Sequence, residues 1–105
     1  MVEIPEEISQ KINRFIDYLE NTGIHIETAI LFGSYAKGEQ NKWSDIDLAL
    51  VSKMFEGNRY YDLDKLTDAC FAIDTNISPL PYTPDDFNSN DLFVKEILKN
   101  GIRVC

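Results

Sequence analysis

Two short stretches carry residue types and spacings suited to chemistry. The first is Gly33-Ser34-Tyr35-Ala36-Lys37-Gly38, and the second is Asp45-Ile46-Asp47-Leu48-Ala49-Leu50-Val51. Gly33 lets the backbone bend sharply and come close to a ligand with no Cβ in the way. Ser34 adds a hydroxyl and a backbone N–H, both suited to phosphate oxygens. If Tyr35 to Lys37 form a first helical turn, their amides and the helix dipole favour an anion at that point. In a strand, residues two apart share a face, so the carboxylates of Asp45 and Asp47 project together while Ile46, Leu48 and Leu50 anchor the other face. Such carboxylates repel one another unless a cation lies between them, and a hard cation such as Mg²⁺ takes carboxylates together with substrate phosphates. A phosphate-holding turn beside a divalent-cation platform is equipment for moving a phosphoryl or nucleotidyl group. A Gly-Ser pair alone is often only a turn, and Asp-x-Asp alone is often solvated charge; the combination, in this order, is the signal.

The elements that must position these residues are legible from periodicity. Thr28 to Phe32 is an apolar run ahead of the turn, and the first strand is expected over His25 to Phe32. Ile8, Ile12, Phe15, Ile16 and Leu19 recur at helical spacing behind Ile4-Pro5-Glu6-Glu7, which opens a helix that Gly23 ends in a left-handed cap. A second helix is expected from about Tyr60 to Ala72, with Leu63, Leu66, Ala69, Cys70 and Ile73 inward. Asp74 to Leu80 reads as a third strand, held to an edge by Pro79 and Pro81. Thr83-Pro84-Asp85-Asp86 reads as a helix start with Thr83 as N-cap. Asp91 to Leu98 is a last amphipathic helix stopped at Asn100-Gly101, and Ile102 to Val104 adds a short strand. Among side chains near the carboxylates, Lys37 and Lys42 can each reach a triphosphate, Lys37 being favoured by its place in the turn. Trp43 either stacks on a base or covers the loop. His25, far from the carboxylates in sequence, is assigned a structural role; Tyr60 and Tyr61, near the start of the second helix and open to exposure there, are assigned ordinary packing ahead of contact with a partner or ligand.

The chain is 105 residues long, which points to one domain over residues 1–105. Eighteen acidic against ten basic residues, a formal charge of −8, argue against direct nucleic-acid binding, which needs a basic surface. Two cysteines, Cys70 and Cys105, suggest no disulfide framework, and the acidic amino end has no leader-like apolar segment. No run approaches a membrane span. A reducing cytoplasm is the expected compartment.

The Gly33-Ser34 turn, its spacing to Asp45-x-Asp47 and the surrounding Ser44-Asp45-Ile46-Asp47-Leu48 resemble the minimal nucleotidyltransferase family of the DNA polymerase β nucleotidyltransferase superfamily. The resemblance spans nearly the whole chain, to the closing helix that ends in Lys99-Asn100-Gly101-Ile102. It implies an α+β fold with a small mixed sheet backed by helices, Mg²⁺ (or Mn²⁺) held by Asp45 and Asp47, and nucleotide phosphates held by Gly33, Ser34 and Lys37. It also implies a role as antitoxin to a helical HEPN protein, by transfer of NMP, chiefly AMP from ATP, to a hydroxyl of that partner. Binding of the partner without catalysis, and modification of a small molecule such as an aminoglycoside, are the alternatives. The family places a third carboxylate on the later strand, just before a proline. Here that segment reads Ile77-Ser78-Pro79, and Ser78 supplies no charge. Asp74, four residues earlier, would lie roughly 13 Å away along a regular strand, and Asp85 and Asp86 fall beyond it.

Overall fold

The computed structural model describes residues 4–41 and 43–105. Helix α1 (Glu6–Asn21) starts behind Pro5, carries Glu6 and Glu7 in its first turn, and buries Ile8, Ile12, Phe15, Ile16 and Leu19. It ends where Gly23 takes φ +93°. Strand β1 (Thr28–Phe32) leads into a single helical turn, α2 (Ser34–Lys37), and then into β2 (Ile46–Val51). Helix α3 (Arg59–Ile73), β3 (Ile77–Tyr82), α4 (Leu92–Asn100) and the two-residue β4 (Ile102–Arg103) complete the chain.

The four strands form one mixed sheet in the order β3-β2-β1-β4. β1 pairs antiparallel with β2 and with β4, whereas β2 and β3 run parallel. One face carries Leu31, Ile46, Leu48, Leu50 and Ile77 against α1 and α3, and this is the larger core. The other face carries Ile30, Ala49, Val51 and Tyr82 against Val94 and Ile97 of α4. This is the expected α+β architecture.

β3 lies at the sheet edge, as its prolines require. Ile46 N–H donates to Asn76 O and Ser52 N–H to Tyr82 O, so the even-numbered residues of β3 face β2. The N–H groups missing at Pro79 and Pro81 therefore fall on the open side, where no ladder bond is lost.

Three expectations need correction. β1 begins at Thr28 rather than His25, and β3 at Ile77 rather than Asp74, because Asp74 ends α3 and accepts a hydrogen bond from Asn76 N–H at 2.7 Å. No helix starts at Thr83: its hydroxyl accepts from Asp86 N–H at 3.1 Å, but the segment makes only a turn, and the true N-cap is Asp91, which accepts from Phe93 and Val94 N–H. Tyr60 and Tyr61 stand outside the core and pack on each other. Both are exposed and meet edge to face with centroids 5.9 Å apart. His25 fits its structural assignment, with Nδ1 3.1 Å from Glu20 Oε1.

Candidate active site

The turn and the carboxylates meet at one end of the sheet because β1 and β2 form an antiparallel pair in which Phe32 lies opposite Asp47. Gly33 follows directly, at φ +76° and ψ −148°, a conformation essentially restricted to glycine. A Cβ built there would fall on Asp47 Oδ2 and 3.2 Å from Asp47 Cγ. Glycine thus serves two purposes at this position: it allows the backbone bend and leaves room for the carboxylate against it.

The helical turn α2 begins at Ser34. Its first hydrogen bonds run from Ala36 and Lys37 N–H back to Gly33 O, at 3.1 and 3.2 Å. The N–H groups of Ser34 and Tyr35 precede those bonds and have no acceptor within the turn. Tyr35 and Ala36 are buried and fix the turn to the core, while Lys37 is exposed and, among the described residues, has no ion-pair partner. Lys42 lies outside the described residues. Trp43 is largely exposed, its N–H bonded to Asn41 Oδ1.

Asp45 is exposed and precedes β2, whose first residue, Ile46, is in the core; Asp47 is half-buried within the strand. The flanking Ile46, Leu48 and Leu50 belong to the core on the opposite face, so Asp47 shares its face with Ala49, Val51 and α4. Burial pushes the Asp47 carboxyl above its ordinary value, and the negative charge of Asp45 adds to the effect. Among the described residues no hydrogen bond or ion pair reaches either carboxylate. Two adjacent carboxylates, with no donor on either among the described residues, form a set that fits a hard divalent cation. Among the described residues no cluster of three or more His, Cys, Asp or Glu side chains completes that set.

The strand register explains why. Asp47 lies opposite Ser78 in the β2–β3 pairing, and Ser78 shares the face of Leu80 and Tyr82. The side chain beside Asp47 is therefore the exposed Ser78 hydroxyl. Asp74 is engaged elsewhere: Lys11 Nζ of α1 sits 2.7 Å from its Oδ2, and that contact, with the Asn76 N–H, holds its carboxyl below the ordinary value. α1 covers the opposite face of the sheet, so Asp74 supplies nothing to Asp47. Asp85 and Asp86 lie in the turn after β3, beyond its far end.

Helix α4 contributes residues that the sequence did not single out. Phe93, Glu96, Ile97 and Asn100 join Gly33 and Lys37 around a cavity of about 210 Å³, and Phe93 meets Phe32 edge to face at 5.7 Å. The α4 stripe reads as packing; that it closes over β1 beside the turn depends on the β1–β4 pairing, which has no local signature.

Residues 10–105 match the polymerase beta nucleotidyltransferase family. No curated protein matches the chain. Among solved structures, a crystal structure of a toxin-antitoxin with AMP-PNP contains a chain with TM-score 0.63 and 18% identity, aligned over 92% of this chain and 72% of the other. A mutant of the toxin-antitoxin MntA-HpeT, bearing two Asp-to-Glu replacements two positions apart, gives TM-score 0.61 and 15% identity over the same shares. At that identity the likeness is one of fold, whereas the family match extends from within α1 to the last residue: the chain belongs to the polymerase beta nucleotidyltransferase family.

Proposed function

We propose that this chain is a minimal nucleotidyltransferase that moves NMP, chiefly AMP from ATP, onto a hydroxyl of a helical HEPN-type partner protein, and serves as the antitoxin of that pair. The observation that carries the reading is the contact between the Gly33 turn and Asp47, with Asp45 adjacent and Lys37 exposed at the end of the same turn. The fold neighbours, toxin-antitoxin assemblies of which one holds AMP-PNP, support it, as does a neighbour in which two aspartates spaced like Asp45 and Asp47 were chosen for replacement.

In this reading the Ser34 and Tyr35 amides and the Ser34 hydroxyl donate to the outer phosphates, and Lys37 offsets their charge. Asp45 and Asp47 hold Mg²⁺ or Mn²⁺, which when bound withdraws charge from the phosphates and the departing pyrophosphate. Packing against Gly33 fixes Asp47 so that its orientation is set before the nucleotide arrives. The acceptor hydroxyl gives up its proton to solvent and its oxygen forms a bond to the α-phosphorus as the bond to the bridging oxygen breaks and pyrophosphate leaves.

Ser78 favours a second reading, a partner-binding protein with little or no turnover, because the position opposite Asp47 has no carboxylate. The two are separated by purifying the chain with its partner and adding ATP labelled at the α-phosphate with Mg²⁺. Label on the partner, lost in Asp47→Asn while the complex survives, supports transfer. An intact complex that neutralises its partner with no label, other NTPs included, supports binding alone.

A further inference from the structure

A second cavity lies at the other end of the α4 face. It has a volume of about 500 Å³, within the roughly 300–1,000 Å³ usual for small-molecule sites. Its floor is Ile30 and Val51, its walls include Phe87 and Leu98, and its polar groups include Glu27 and Arg103. Gly101 closes one end: an added Cβ there would collide with Ile30 Cγ2, so only glycine brings the end of α4 this close to β1.

The charged groups are left incomplete. Glu27 Oε2 is buried and has no hydrogen-bond partner among the described residues. Arg103 donates from Nε to Cys105 O at 2.9 Å, and among the described residues its Nη groups meet no carboxylate. In a chain with 18 acidic residues, a buried carboxylate oxygen left unpaired departs from the rule that buried polar groups find partners, and the exposed guanidinium of Arg103 lines the same cavity without pairing to it. Water can satisfy the two charges, but it gains nothing from the apolar surface of the same cavity. A molecule that spans them does both.

We propose that this cavity binds a small zwitterion with an apolar body, an apolar amino acid in type, whose ammonium donates to Glu27 and whose carboxylate accepts from Arg103 while its side chain covers Ile30, Val51, Phe87 and Leu98. The site is separate from the nucleotide end. Thr28, on its lining, stands four residues along β1 from Phe32, the partner of Asp47, roughly 13 Å at ~3.3 Å per residue.

The test is titration of the full chain with L-phenylalanine and L-leucine, read by calorimetry and by the methyl NMR signals of Ile30, Val51 and Leu98. Phenethylamine and 3-phenylpropionate, each lacking one charge, are the comparators. The expected result is saturable binding of the amino acids, with both comparators and the variants Glu27→Gln and Arg103→Gln weaker by roughly tenfold or more. Asp47→Asn, at the far end, binds as the unaltered chain does. Arg103→Gln changes an exposed side chain and keeps the test available should Glu27→Gln fail to fold. No saturable change up to ~10 mM, a range in which even weak sites of ~1 mM fill, overturns the proposal. So does a comparator that binds as tightly as the amino acid, or unaltered affinity in both variants.

Discussion

Gly33→Ala is the perturbation whose cost the structure fixes most closely. A side chain at φ +76° and ψ −148° is strained by about 1–3 kcal/mol. The new methyl also meets Asp47 Oδ2, and because that atom ends a side chain, the collision is relieved by turning Asp47 off its rotamer, for about 0.5–1.5 kcal/mol more. The sum, about 1.5–4.5 kcal/mol, is a large share of the ~5–15 kcal/mol by which small domains are stable. Urea denaturation of four proteins, namely the original chain, Gly33→Ala, Asp47→Ala and the double variant, separates the two contributions. Backbone strain persists when Asp47 is alanine, but the collision does not, so Gly33→Ala is cheaper in the Asp47→Ala background by about 1 kcal/mol. Equal costs in both backgrounds would show that Asp47 does not rest on Gly33, and the geometric basis of the site would go with it.

Ser78→Asp places a carboxylate opposite Asp47 and, with a chelator present, loses about 0.2–1 kcal/mol to like-charge repulsion; added Mg²⁺ should then raise its urea midpoint more than that of the original chain. Asp74→Asn breaks the pair with Lys11, costs up to about 1 kcal/mol because both partners retain some solvent, and leaves the proposed nucleotidyl transfer unchanged. The Asp74 carboxyl is held below its ordinary value, so its contribution is complete above an unfolded value of about 3.9 and fades as pH falls through the lowered folded value; the acid limb of a stability–pH curve is accordingly shallower in Asp74→Asn. Asp62→Ala strands the Glu56 and Gly57 N–H groups that the buried carboxylate accepts at 2.8 and 3.0 Å, and thermal or urea unfolding should register a loss of about 2–3 kcal/mol.

The parts of this fold that the sequence announces are those governed by neighbours in the chain. The stripe from Ile8 to Leu19, the alternation from Ile46 to Leu50 and the edge placement of Pro79 and Pro81 follow from the periods of 3.6 and 2.0 and from a missing N–H. Thr83 misleads because its hydroxyl does bond to the N–H three residues on, as an N-cap does, yet the turn is not continued and Asp91 caps the helix instead. Asp62 reads as an ordinary acid in the first turn of α3 and is instead an almost fully buried anchor for the loop before it. That Asp47 lies against Gly33, and that Ser78 is its neighbour on β3, depends on strand register, which pairs residues 15 and 31 positions apart. The motif identified the residues, and the pairing supplied their arrangement.

The carboxylates of this acidic chain form a pattern that bears on both proposed sites. Glu20 accepts from Ile26 N–H and meets His25, Asp62 accepts from two loop amides, Asp74 from Asn76 N–H and Lys11, and Asp91 from two amides of α4. Each of these carboxylates, buried or exposed, meets a donor, and the carboxyls of Glu20 and Asp74 are held low as a result. Asp47 and Glu27 depart from this. Asp47 is half-buried, has a second carboxylate as its neighbour, meets no donor among the described residues and is pushed up rather than down. Glu27 has a buried oxygen with no partner among the described residues. Folding alone gains nothing from either arrangement, since an apolar residue or a moved hydroxyl would be cheaper at both places. A cation at the first and an ammonium at the second would each remove the penalty, which is why these two positions, at opposite ends of the face covered by α4, are where ligands are expected.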